Sequence, residues 1–156
     1  MDKTTSVIVG ITLVVFAAIV VGSAQSTKNF NPATQCVQHS NSLSMHIHPV
    51  VKIFFDDAPV TIPSNIGIDP SCMKALHTHD ESGTIHVEYP QTHDFVLADF
   101  FANWGMPFFK DQIMDKKIDA THTLTMTVDG KPSDQFDKLV LKDGQQIVIR
   151  YASKSP

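Results

Sequence analysis

Arginine is almost missing from this chain: Arg150 is the only one in 156 residues, and the formal net charge is −4. Surfaces that bind nucleic acid need clustered basic side chains to displace counterions, so the balance argues against that class of partner. There are only two cysteines, Cys36 and Cys72, and their wide separation lacks the Cys-x-x-Cys spacing of a structural zinc site. No His-Glu-x-x-His motif occurs, so a zinc-dependent hydrolase has no established signature to support it. Long runs of one charge sign, low-complexity tracts and internal repeats are also lacking, apart from two copies of His-x-His.

One long hydrophobic run stands out against these absences. Residues 7–24 carry no charge, and their number falls inside the roughly 17 to 25 residues that a membrane span requires. The run reads as a transmembrane anchor or, because Gly22 and Ala24 offer the small residues a signal peptidase needs, as a cleaved signal peptide. Either reading exports the remainder. Lys3 and the terminal amine favour a cytoplasmic N-terminus, although Lys28 on the other flank weakens that bias. A single-pass membrane protein with its domain on the extracytoplasmic side is expected, or a secreted one if the segment is cleaved. Residues 25–35 are polar and contain Asn31-Pro32, which suits a tether. Residues 36–152 then form one exported domain of modest core.

Compartment bears on the cysteines. In an oxidising space a pair is more often a disulfide than two thiols, and closing this loop contributes roughly 3 to 4 kcal/mol. The competing reading makes them thiolate ligands, since Cys36 lies upstream of His39 and His46, and Cys72 sits just before His77.

The eight histidines are unevenly placed. His46 and His48 flank Ile47, and His77, His79 and His86 follow within a short segment. Alternate residues of an extended strand share a face, so His-x-His sets two ring nitrogens side by side within reach of one cation. Neutral imidazole binds zinc, copper, nickel and iron, whereas magnesium and calcium prefer oxygen. His46, His48, His77, His79 and His86 are therefore the candidate ligands of a copper or zinc ion. Copper is placed slightly ahead, because affinity at nitrogen sites peaks there and Met45 and Met73 lie beside candidate ligands. Asp80 and Glu88 suit carboxylates that orient imidazoles rather than bind the ion. The bland alternative is a hydrogen-bonded network in which the same imidazoles tie loop backbone to Asp80 and Glu88. His39, His93 and His122 stand alone and read as ordinary polar residues.

Pattern places these residues on elements. Residues 45–55 are rich in branched and aromatic side chains and predict one strand, turning through Asp56-Asp57-Ala58-Pro59 into a second at 60–62. Residues 84–89 predict a strand with Thr84, His86 and Glu88 on one face and Ile85 and Val87 on the other. Val96, Leu97, Phe100, Phe101 and Trp104 follow helical spacing, closed by Gly105 and Pro107. Residues 110–120 read as a loop or a short helix around Ile113. Residues 121–128 alternate, Asp129-Gly130 signals a hairpin, and 138–141 and 145–151 predict further strands. The expected class is α+β, a small mixed sheet packed on one main helix.

Two resemblances extend this reading. Val128-Asp129-Gly130-Lys131 and Leu141-Lys142-Asp143-Gly144-Gln145-Gln146-Ile147 resemble the terminal strands of β-grasp ligand-binding domains, which implies a β-grasp-like sheet. The His46-Ile47-His48, Leu76-His77-Thr78-His79-Asp80, Ile85-His86-Val87-Glu88 and Phe100-Phe101-Ala102-Asn103-Trp104-Gly105 segments resemble an uncharacterised family of exported, single-span bacterial and archaeal proteins. This likeness runs from about Cys36 to Tyr151. It implies that the two His-x-His pairs and the His86-x-Glu88 strand form one recurrent unit, and it implies no reaction.

Three function classes follow. The leading one is a metal-binding module outside the membrane, an accessory to a membrane redox system rather than an enzyme. The second is a non-catalytic interaction subunit of a membrane protein complex, with structural histidines. The third is a zinc hydrolase using Glu88 or Asp80 as general base.

Overall fold

The computed structural model describes residues 31–37 and 43–154. The hydrophobic run at 7–24, most of the tether and His39 lie outside them. Among the described residues no helix is long and apolar enough to cross a membrane.

The described residues begin with a 3-10 turn at Pro32–Thr34, followed by β1 (Met45–Ile47), β2 (Val50–Phe55) and β3 (Ala58–Val60). Short strands β4 (Ile68–Asp69), β5 (Cys72–Met73) and β6 (Leu76–His77) lead to β7 (His86–Tyr89) and to the eight-residue helix α1 (Leu97–Trp104). Then come β8 (Phe108–Phe109), β9 (Gln112–Ile113), β10 (Lys116–Lys117), β11 (His122–Val128) and β12 (Lys131–Pro132). A 3-10 turn at Phe136–Lys138 precedes the last strand, β13 (Gln146–Ser153). The fold is α+β, as expected.

Five strands make the main sheet in the order β12-β11-β13-β2-β3. β13 runs parallel to β2, and the other neighbours are antiparallel. Met126, Ile149 and Ile53 stand opposite one another across three strands, and all are buried. Their neighbours Thr125 and Arg150 are exposed, the period-two alternation of a half-buried sheet. The core continues through Phe95, just ahead of α1, and through Leu97, Phe100 and Phe101, the buried stripe of that helix. Asp99 fixes the start of the helix, its Oδ2 accepting the Val96 N–H at 2.9 Å. Gly105 ends it in the left-handed region at φ 74°, and the Met106 N–H reaches back to the Phe101 carbonyl.

A second sheet, β1-β7-β6, is antiparallel throughout. The single strand expected over residues 45–55 is therefore two, and the break falls at His48-Pro49. Proline has no N–H to offer a ladder, and here the chain passes from one sheet to the other. The sheets are stitched at that point: Val51 N–H donates to the Gly83 carbonyl and Ile85 N–H to the Pro49 carbonyl, both at 2.9 Å. Gly83 has φ 82°, and a Cβ there would collide with the Val51 carbonyl oxygen.

Three other segments depart from expectation. The return strand of the first hairpin is Ala58–Val60 and not 60–62, because the turn closes at Asp56-Asp57 and Ala58 already pairs with Phe55. Residues 110–120 hold no short helix; they fold into the antiparallel set β8-β9-β10. Residues 138–141 are no strand, because Phe136–Lys138 takes a 3-10 turn and only the bridge of Val140 to Val96 remains. Cys36 and Cys72 form a disulfide with Cα atoms 5.1 Å apart, which removes both sulfurs from the list of thiolate ligands.

Candidate metal centre

The second sheet gathers the histidines by register. His46 on β1 lies directly opposite Glu88 on β7, and His77 on β6 lies opposite His86. Because His86 and Glu88 alternate along β7, all four side chains share one face, while Ile47, Leu76 and Val87 share the other. His48 and His79 lie just beyond the strand ends. The rings meet around His86: its centroid is 4.8 Å from His48, 4.6 Å from His79 and 5.4 Å from His77.

The loop bearing His77 and His79 is held from both sides. Thr78 is fully buried; its hydroxyl donates to the Pro63 carbonyl at 2.8 Å and accepts the Ile66 N–H at 3.1 Å. Asn103 on α1 donates to the Leu76 and Ala33 carbonyls, both at 3.0 Å, which anchors β6 to the helix. Gly67, at φ 71°, passes so close that a Cβ would meet the Leu76 carbonyl oxygen and the His77 Cβ.

His77 is itself fully buried. Its Nδ1 lies 3.0 Å from the Lys74 carbonyl oxygen, which can only accept, so the ring proton sits on Nδ1 and the lone pair on Nε2. That lone pair faces His79 Nε2 at 3.2 Å. Two nitrogens bound to one ion at 2.0 to 2.1 Å lie about 2.9 Å apart at a right angle and about 3.4 Å apart in a tetrahedron. The observed separation falls inside that window, so a cation can take the place of the proton the two rings share. Burial pushes the His77 imidazolium down to about 4, and burial with the neighbouring His79 and His48 also lowers His86. These rings stay neutral, the form that coordinates.

Among the described residues two sets of three can hold an ion: His46, His48 and His86, and His77, His79 and His86, each with ligand atoms within 4.8 Å of one another. All five histidines singled out in the sequence thus come together. Glu88 is buried, with Oε1 3.3 Å from His46 Nε2. Asp80 is exposed, and its Oδ1 accepts the Ser82 N–H at 2.9 Å. His93 packs against Phe95, and His122 stacks on Tyr151 beside Asp119. Met45 packs against the hydrophobic core. Two participants were not foreseen. Asp143, far away in sequence, accepts the His48 N–H at 2.9 Å, and the Lys74 carbonyl sets the His77 tautomer. Asp143-Gly144 carries only a turn signal, and a backbone carbonyl has no residue signature, so neither was available to sequence reading.

No family model, curated protein or solved structure matches this chain.

Proposed function

We propose that this protein is a transition-metal binding module that captures or delivers copper or zinc on the outer side of a membrane, as an accessory to a membrane-bound redox system. The convergence of five imidazoles from three chain segments carries the reading, above all the His77 and His79 Nε2 atoms at 3.2 Å. The donor set is nitrogen, which favours copper over zinc by the usual affinity order. The Cys36–Cys72 disulfide suits an oxidising compartment, and the uncharged run at 7–24 suits an anchor. We read the larger sheet as β-grasp-like, supported by its order and by the parallel pairing of β2 with β13 at its centre. His77, His79 and His86 then sit on material inserted between the first hairpin and the helix, and His46 and His48 on the segment that leads into that hairpin.

The test is metal competition on the full chain in mild detergent. A chelator of known strength should be overcome by one Cu(II) or Zn(II) per chain. Replacing His77 and His79 together should weaken binding far beyond any effect of His93→Ala or His122→Ala. Equal affinity in the double variant and the parent chain would remove the site.

A further inference from the structure

The two triads overlap in one residue, His86. A neutral imidazole has a single lone pair, because its other ring nitrogen carries the proton. While His86 serves one ion in one triad, the other triad is reduced to two nitrogens. The triads are therefore alternatives for one ion, and they differ in access. His46 and His48 have side chains 51% and 40% exposed, whereas in the other set only His79 is exposed and His77 is fully buried with its lone pair fixed by the Lys74 carbonyl.

We propose that the triads are successive stations for a single ion: the open set of His46, His48 and His86 receives it, and His86 passes it to the inner set with His77 and His79. This rests on the metal-binding reading above and adds a direction and a route to it. The step is ligand exchange with no change of oxidation state. Bonds from the ion to His46 and His48 break as bonds to His77 and His79 Nε2 form, and His86 remains a ligand throughout. The Nε2 proton of His79 leaves to water, and Nδ1 of the same exposed ring takes one up, so proton count is unchanged. The inner station holds the ion more tightly because its nitrogens already stand at coordinating separation. The outer station sets the rates of loading and release, since it alone faces solvent with both of its own imidazoles. A partner that takes the ion away would approach the β1 side and offer nitrogen or sulfur ligands of its own.

Stopped-flow mixing of the full chain with Cu(II), alongside chelator competition at equilibrium, separates the stations. Replacing both His46 and His48 by Ala should slow association and dissociation about tenfold or more while leaving affinity within a few-fold. Replacing His77 and His79 should leave the association rate intact and cost more than the roughly 100-fold typical of losing an orienting partner. His79→Ala alone, at an exposed position, gives the same readout should the buried His77 position not tolerate change. His86→Ala should impair rate and affinity together. Two Cu(II) ions held at once per chain, or identical kinetics in the two double variants, would overturn the relay while leaving metal binding in place. Absence of any Cu(II) or Zn(II) binding by the parent chain would remove both proposals.

Discussion

The five-stranded sheet puts Val51, Ile53, Leu124, Met126, Ile147 and Ile149 on its buried side and leaves Lys52, Thr125 and Arg150 to solvent. The three-stranded sheet does the reverse with one of its faces, turning His46, His77, His86 and Glu88 to the same side and burying two of the four. Each fully buried aliphatic side chain of the first kind contributes roughly 1.5 to 3 kcal/mol. A buried imidazole or carboxylate contributes little net stability and is costly unless bonded, so this face is held by the apolar one behind it, with Leu76 and Val87 fully buried, and by Thr78, Asn103, the disulfide and the join at Gly83. The chemistry is thus confined to one face of the smaller sheet, which is joined to the larger one where the Gly83 carbonyl accepts from Val51 N–H and the Pro49 carbonyl from Ile85 N–H.

That coupling can be broken at one position. Gly83→Ala adds a left-handed residue's strain and a clash with the Val51 carbonyl, so we expect a loss of about 4 kcal/mol or more in urea unfolding, with metal affinity falling in parallel. Gly144 has a similar φ of 69° but open space around it, so Gly144→Ala should cost only about 1 kcal/mol and leave binding alone. Similar losses at both positions would mean that the crossing is not a structural joint.

Acid should single out the histidine sheet. His77 titrates near 6.5 when unfolded and at about 4 when buried. Between those values the unfolded chain holds a proton that the native chain does not, so stability of the metal-free protein falls as pH drops from about 6.5 to 4. Below that the contribution of this residue is fully lost, up to about 3 kcal/mol. Urea midpoints at pH 7, 5.5 and 4 should show the decline in the parent chain and a shallower one in His77→Gln. Parallel curves would place the acid sensitivity outside this sheet.

Much of this division was legible in the sequence. Strict alternation marked β11, helical spacing with Gly105 marked α1, and His-x-His at period two marked four of the five ligand candidates, with His86 close behind the second pair, because each is a local pattern. What escaped was set by distant partners. Pro49 is a local signal for the break, but that β1 pairs with β7 while β2 pairs with β13 is absent from residues 45–55 themselves. The segment at 110–120 is polar enough for a loop, yet its short strands pair through turns rather than through an apolar face. The pairing of His46 with Glu88 needed the same register, and so did the bond from His48 to Asp143.

The finest separation concerns the two carboxylates. Glu88 is buried with Oε1 3.3 Å from His46 Nε2, so it can fix that ring and favour the cationic, ion-bound state of the outer triad. Asp80 is exposed and spends Oδ1 on the Ser82 N–H, a bond that the carboxamide of asparagine can also accept. The His79→Ala background isolates the outer triad as the complete one. There Glu88→Gln should lower Cu(II) affinity about 10- to 100-fold, whereas Asp80→Asn should change it by less than about fivefold, as expected for an exposed charge. Chelator competition resolves that difference. Raising the salt should shrink the Asp80 effect and leave the Glu88 effect in place, because only the exposed charge is screened. Equal losses at the two positions, or a Glu88 effect that disappears in salt, would show that general negative potential attracts the ion and that the contact with His46 does not orient it.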